Sequence, residues 1–248
     1  MSGPESRASG CALITGGSRG IGAAIAQALA ADGWRCGVNY RADADGAHAV
    51  VDAIVAAGGE AIAVQGDVAD PAAIDTVFAT LEEHYGSVLC VVNNAGIRMD
   101  GLGATLSDEA WSRVLRTNLD AAFMVSRRAL SIMLRNRYGR IVNIASAAAL
   151  RASPGQANYA ASKAGLVAMT STLAVEVARR GVTVNAVAPG FVQTQLTADV
   201  DSSAILEHVP ARRAGTVGEV AACVQFLCSD GAAYVTGAVL PVDGGLTA

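Results

Sequence analysis

The stretch Cys11-Ala-Leu-Ile-Thr15-Gly16-Gly-Ser18-Arg19-Gly20-Ile21-Gly22 is a compact apolar run that breaks into glycines and resumes as a helix. Ile21, Ile25, Ala28 and Leu29 recur at helical spacing up to Asp32-Gly33, where the glycine can close the helix. Strand, glycine loop and helix in that order aim backbone N–H groups and a helix N-terminus at the end of a strand. A pyrophosphate is held in this setting. The spacing Gly16-x-x-x-Gly20-x-Gly22 departs from the GxGxxG fingerprint. The loop can still hold a phosphate, because its place at the strand-to-helix turn supplies the N–H groups.

The same alternation continues outward. Apolar strands are expected at 35–40, 61–65, 88–92, 141–145, 182–188 and 238–242, with helices between them. Asp70-Pro71 marks one helix start, with the aspartate as cap and the proline at its first position. One long helix is expected from near Ser107 to Asn136, and another carries Tyr159 on to Gly181. With no linker rich in Pro or Ser and no repeat, the pattern predicts one doubly wound Rossmann-type α/β domain. Its seven-stranded, mainly parallel sheet has helices on both faces and spans residues 11–248, behind a polar tail at 1–10. The segment 191–209 fits the alternation least and reads as a flap over a site.

Composition narrows the function classes. With 52% hydrophobic and 16% charged residues among 248, the chain can build a large core, which excludes disorder for most of it. A net charge of −4 argues against a general nucleic-acid binder. Cys11, Cys36, Cys90, Cys223 and Cys228 sit in apolar runs without a CxxC pair, so buried free thiols are expected. His48, His84 and His208 lack ligand spacing, and no metal site is expected. The first ten residues lack a hydrophobic core of a signal, and no apolar run reaches about 18 residues. A soluble cytoplasmic protein is the expectation.

Ser146 is followed, after twelve intervening residues, by Tyr159-Ala-Ala-Ser-Lys163. On a helix, a spacing of four puts the phenol and the ammonium on one face, one turn apart. A cation beside a tyrosine favours the phenolate and moves the group toward proton exchange near neutral pH. Ser146 can offer its hydroxyl to the same oxygen. On this stretch alone a solvated Tyr–Lys pair remains the alternative. For the cofactor, the end of the second strand decides, because NAD enzymes place an acid there against the ribose 2′-hydroxyl. Here it reads Asn39-Tyr40-Arg41. Arg41 and Arg19 can pair with a 2′-phosphate, which points to NADP(H). The competing reading leaves both arginines in solvent and turns Asp43 inward.

With these pieces in line, the chain resembles the short-chain dehydrogenase/reductase family over nearly its whole length. The matches are Thr15-Gly16-x-x-x-Gly20-x-Gly22, Asp67-Val68, Asn93-Asn94-Ala95-Gly96, Asn118, Ser146, Tyr159-x-x-x-Lys163, Pro189-Gly190 and Thr194. Within the family, the stretches 139–146, 155–165 and 181–191 look most like the 3-oxoacyl-[acyl-carrier-protein] reductases. The resemblance implies NADPH-dependent reduction of a 3-keto group. It makes Tyr159 the acid/base, with Lys163 lowering its pKa and binding the nicotinamide ribose. Ser146 bonds the substrate carbonyl, and Asn118 holds a water in a proton relay. Gly16, Ser18, Arg19, Gly20, Ile21 and Gly22 form the phosphate turn, and Asp67 and Val68 bound the adenine. Asn94 and Gly96 line the cleft, while Val192 and Thr194 contact the carboxamide.

A carrier protein is acidic, so basic docking residues are expected. Arg127, Arg128, Arg135, Arg137 and Arg140 cluster near the end of the long helix, and Arg137 aligns with an arginine those reductases use. Where they carry a second docking arginine on the next helix, this chain has Val175 before Glu176. The ending Val242-Asp-Gly-Gly245 resembles the C-terminal signature of a family whose members are usually tetramers, so a homotetramer is implied. Two other readings stay open. One is an oxidoreductase for a sugar, polyol or xenobiotic ketone. The other is a nucleotide-sensing protein without catalysis, against which the intact catalytic positions argue.

Overall fold

The apolar runs form seven hydrogen-bonded strands in the computed structural model, which describes residues 10–194 and 205–248. They are β1 (Gly10–Ile14), β2 (Arg35–Tyr40), β3 (Ala61–Gln65), β4 (Ser87–Asn93), β5 (Gly139–Ile144), β6 (Val182–Pro189) and β7 (Val239–Val242). Every pairing is parallel, in the order β3-β2-β1-β4-β5-β6-β7. Residues of β1, β5 and β6 are buried throughout. Helices cover both faces of these strands, which is why they read as continuous apolar runs and not as alternating ones.

Between the strands lie α1 (Gly20–Ala31), α2 (Ala44–Ala56), α3 (Pro71–Tyr85), α4 (Asp108–Leu115), α5 (Ala121–Asn136), α6 (Ala157–Val177) and α7 (Val217–Cys228). Their starts follow capping chemistry. Asp43 accepts from the Gly46 N–H at 3.2 Å, Asp70 from Ala72 at 3.0 Å and Ser107 from Ala110 at 3.1 Å. Helix α1 packs against α2 and α7 on one face of the sheet, and α5 against α3 and α6 on the other. The winding changes direction between β1 and β4. A crevice therefore opens beyond their C-terminal ends.

The long helix expected from Ser107 to Asn136 is interrupted. Between α4 and α5, residues Arg116–Asp120 form a wider π turn that buries Asn118 at its centre. The expected flap is described at its ends only, where Val192 pairs with Gly215; residues 195–204 of it lie outside the described residues. Four thiols are buried and Cys223 is half-buried. Among the described residues no three His, Cys, Asp or Glu gather at one point, and no helix is long and apolar enough to cross a membrane.

A buried chain of amides fixes helices to the sheet near the crevice. Asn93 of β4 donates to Ser126 of α5 at 2.9 Å and to Asn143 of β5 at 2.8 Å. Asn143 in turn donates to Thr170 of α6 at 2.8 Å. Ser146 lies three residues beyond Asn143, so one network sets both the strand and the helix that carry the reactive groups. Asn143→Ala leaves these partners short of a hydrogen bond in a dry interior and is expected to cost about 2–4 kcal/mol in urea denaturation. A loss below about 0.5 kcal/mol would mean that the network does not tie α6 to the sheet.

Candidate active site

The floor of the crevice is a clasp between the ends of β1 and β4. The Thr15 hydroxyl donates to the Val92 carbonyl at 3.3 Å and accepts from the N–H groups of Asn94 and Ala95, both at 3.0 Å. The Asn94 amide nitrogen returns two bonds of 2.9 Å to the carbonyls of Thr15 and Gly16. Gly16 has φ +61°, and a methyl group there would sit 3.0 Å from the Ala95 Cα. A methyl at Gly22 would strike the Gly16 carbonyl and the Asn94 amide. Both positions require the missing side chain.

Asn39, at the end of β2, secures the other side of the turn. Its amide nitrogen donates to Val64 at 3.2 Å and Gly66 at 3.0 Å, and its oxygen accepts a long 3.5 Å bond from the Gly16 N–H. Sequence reading noticed this end of β2 for its lack of an acid and missed Asn39. The available signal was an amide inside an otherwise apolar strand.

A cleft of about 440 Å³ lies over this floor, lined by the Gly16–Gly22 turn and by Arg41, Asp67, Val68, Asn94 and Gly96. A second cavity of about 120 Å³ is lined by Ser146, Tyr159, Lys163 and Val192. The two share Ile21, Asn94, Gly96 and Thr194. Every residue expected to meet the cofactor, Ser18, Arg19 and Gly20 among them, lines one or both. Arg41 stands 3.8 Å from Asp67, an exposed pair of little energetic weight. Asp43 also lines this cleft, with one carboxylate oxygen engaged as the α2 cap.

Ser146 and Tyr159 line the same cavity, and the Ser146 hydroxyl favours the ionised phenol. Lys163 is not among the groups that make the phenol more acidic, contrary to the expectation from its spacing. Burial raises the phenol above its usual value, and the group that chiefly opposes this is the Ser146 hydroxyl, followed by the charge of Arg98; Asp100 pushes the other way. Lys163 is one turn along α6, with Nζ 5.7 Å from the ring centre, but it donates to the Ile144 carbonyl at 2.7 Å. Its own burial pulls it down to about 8. The cavity thus holds a protonated phenol at neutral pH beside a buried cation. An ammonium has three donors, and one is taken by Ile144.

Asn118 stands behind the wall of the cavity. Its amide accepts from the Ile97 N–H at 2.8 Å and donates to the Ile97 carbonyl at 3.0 Å and to Ser162 at 3.2 Å. The side chain is occupied in fastening the loop after β4. A methyl at Gly96 would come within 3.3 Å of Asn118 Oδ1 and 3.6 Å of Lys163 Nζ, so the three meet at one point.

The expected arginine cluster divides. Arg140 is buried, stacked 4.5 Å from the Tyr138 ring centre and 3.7 Å from Asp230, because its strand position points it inward. Arg128 is held by Asp75 and Glu82 of α3. Arg127, Arg135 and Arg137 are exposed, as are Arg179 and Arg180 just past α6.

A family model described as enoyl-(acyl carrier protein) reductase matches residues 16–247. The chain belongs to the short-chain dehydrogenase/reductase family. It is 46% identical over 236 residues to a 3-oxoacyl-[acyl-carrier-protein] reductase of Synechocystis, covering 95% of this chain and 96% of that one. It is 44% identical over 238 residues to the enzyme of the same name from Escherichia coli, with 95% and 96% covered. Among solved structures, one from Agrobacterium tumefaciens described provisionally as a gluconate dehydrogenase superposes with a TM-score of 0.93. It is 35% identical, with 98% of this chain and 97% of that one covered.

The burial of Lys163 has a sign that can be checked. The unfolded side chain titrates near 10.5 and the folded one near 8. Between those values the unfolded state binds more protons, so this residue makes the folded state relatively more stable as pH rises. Lys163→Met abolishes the effect. Without cofactor, the stability difference between variant and wild type is expected to move by up to about 3 kcal/mol in the wild type's favour from pH 8 to 10.5. A pH-independent difference in urea denaturation would contradict a desolvated ammonium.

Proposed function

We propose that the protein is an NADPH-dependent ketoreductase that converts the 3-keto group of an acyl thioester to the 3-hydroxyacyl product, as in fatty-acid synthesis. The observation that carries this reading is the convergence of Ser146 and a protonated Tyr159 on one point in the smaller cavity. Two hydroxyls there suit the oxygen of a ketone, whose negative charge grows during reduction. Reduction of a carbon–carbon double bond, suggested by the family model's description, delivers its proton to carbon and has less use for them. The named relatives also favour the ketone.

The residues present fit a dinucleotide. The Gly16–Gly22 turn and the N-terminus of α1 suit its phosphates, and the absence of a side chain at Gly96 keeps open the passage between the two cavities. Lys163 has donors left for ribose hydroxyls, and Val192 and Thr194 flank the inner end. When bound, the reduced nicotinamide supplies a hydride to the ketone carbon. Tyr159 gives its proton to the ketone oxygen while Ser146 holds that oxygen in place. Asn118 fixes Ile97 and, near Lys163, marks the point where a water can relay the next proton to Tyr159. Arg41 and Arg19 both line the larger cleft and favour NADP(H), since two guanidinium groups there can pair with a 2′-phosphate.

Arg137, with Arg135, Arg179 and Arg180 beside it, is proposed to receive an acyl carrier protein. These arginines precede β5 and β6, at the opposite end of the strands from Tyr159. The 21-residue helix between them is about 31 Å long. A carrier docked there serves the site of another copy, consistent with a cytoplasmic homotetramer. The likeness to the Agrobacterium structure favours a second reading, oxidation of a sugar acid, which activity on gluconate against acetoacetyl thioester distinguishes.

Tyr159→Phe is expected to lower kcat for acetoacetyl thioester by about 10²–10⁴-fold with NADPH binding little changed. Turnover near the wild-type rate would refute its role as proton donor. Arg41→Ala is expected to raise KM for NADPH about 10–100-fold and leave that for NADH unchanged, as expected for loss of a charged hydrogen bond. A wild-type preference for NADH would overturn the cofactor assignment.

A further inference from the structure

The turn that follows β7 lies against the wall of the smaller cavity. β7 ends at Val242, whose carbonyl accepts from the Gly190 N–H at 3.0 Å, and Asp243 comes next. A methyl group at Gly190 would sit 2.7 Å from the Asp243 Cα, so the two backbones are in contact. Gly190 itself lines the smaller cavity, with Pro189 and Val192. It has no side chain to buffer a shift, and a displacement of Asp243 passes straight to the wall.

One carboxylate winds this turn. Asp243 accepts from the Gly245 N–H at 2.9 Å through one oxygen, and from the Thr247 N–H at 3.0 Å and the Thr247 hydroxyl at 2.6 Å through the other. The turn then grips two further segments. The Gly244 carbonyl accepts from the Ala211 N–H at 3.0 Å, and methyl groups at Gly244 and Gly245 would come within 2.9 Å of Val209 and 3.1 Å of Pro210. On the other side, the Leu246 carbonyl accepts a long 3.4 Å bond from Arg151. The Arg151 N–H donates to the Ala147 carbonyl at 2.9 Å, in the short turn that opens at Ser146. There the Ser146 oxygen accepts from the Ala148 N–H at 3.1 Å, which leaves its own hydrogen for a ketone oxygen.

We propose that Asp243 is a positioning residue for the reduction. Through Gly190 it sets the wall against which the nicotinamide end of the cofactor lies, and through Arg151 it steadies the turn that aims Ser146. This rests on the ketoreductase reading and adds to it a brace joining the two sides of the cavity.

The test measures kcat for acetoacetyl thioester at saturating NADPH, and beside it the calorimetric binding of 2′-phospho-ADP-ribose, a cofactor fragment without the nicotinamide. Asp243→Ala is expected to lower kcat at least 10-fold, because a displacement of about 1 Å at a reacting group can cost ~100-fold. The fragment still binds at the wild-type number of sites per chain, with Kd changed less than 3-fold. Asp243→Asn, which keeps one acceptor oxygen for the turn, falls between. A smaller loss in kcat would overturn the proposal. So would a loss matched by an equal fall in the number of fragment sites, since a merely structural role lowers the folded fraction and moves both together. If Asp243→Ala does not fold, Thr247→Val, which removes only the 2.6 Å bond, carries the same comparison with an expected loss of at least 3-fold. A wild type that does not reduce the thioester defeats the functional reading itself, whereas thioester reduction indifferent to Asp243 defeats only this inference.

Discussion

Two neighbouring strands must part before anything can bind between them, and here the parting is held by the clasp of Thr15 and Asn94. One hydroxyl and one amide satisfy the backbone groups that β1 and β4 leave unpaired where they separate. The same bonds force the turn at Gly16 and bring it close enough to α1 that Gly22 has no room for a side chain. Every later feature of the site is referred to this frame. The larger cleft is the space above the clasp, and the smaller one is the space between the clasp and the end of β5.

The chemistry depends on a second constraint, the dryness of the inner cavity. Burial acts in opposite directions on the two groups of α6, holding the proton on Tyr159 and loosening it on Lys163. That is the polarity the proposed proton donor requires, with a group behind it that can resupply the proton. The amide chain from Asn93 through Asn143 to Thr170 keeps the strand and helix in register, so Ser146 and Tyr159 line one cavity. Positioning comes from buried hydrogen bonds, and acidity from the environment they create.

Much of this was legible in the sequence, for identifiable reasons. A parallel sheet covered on both faces writes its strands as uninterrupted apolar runs, and caps such as Asp43, Asp70 and Ser107 mark helix starts locally. The π turn at 116–120 was not legible because Arg-Thr-Asn-Leu-Asp contains no breaker; the widening follows from where Asn118 must point. The spacing of Tyr159 and Lys163 gave their proximity but not their partners, since the Ile144 carbonyl that holds Lys163 belongs to a strand distant in sequence. For the same reason Arg140 passed for a surface charge. It stands next to exposed arginines in the chain, yet its place in β5 puts it inside.

The claim on which the account turns is that the two cavities form one continuous site ending at Tyr159. A crystal structure of the protein with oxidised NADP and a 3-hydroxyacyl thioester tests it most directly. The account predicts the substrate hydroxyl oxygen within hydrogen-bond distance of both Ser146 and Tyr159, with the nicotinamide ring beside it and the adenine end near Arg41. A substrate bound elsewhere, or a phenol turned away from the nicotinamide with no room for a carbonyl between them, would contradict it.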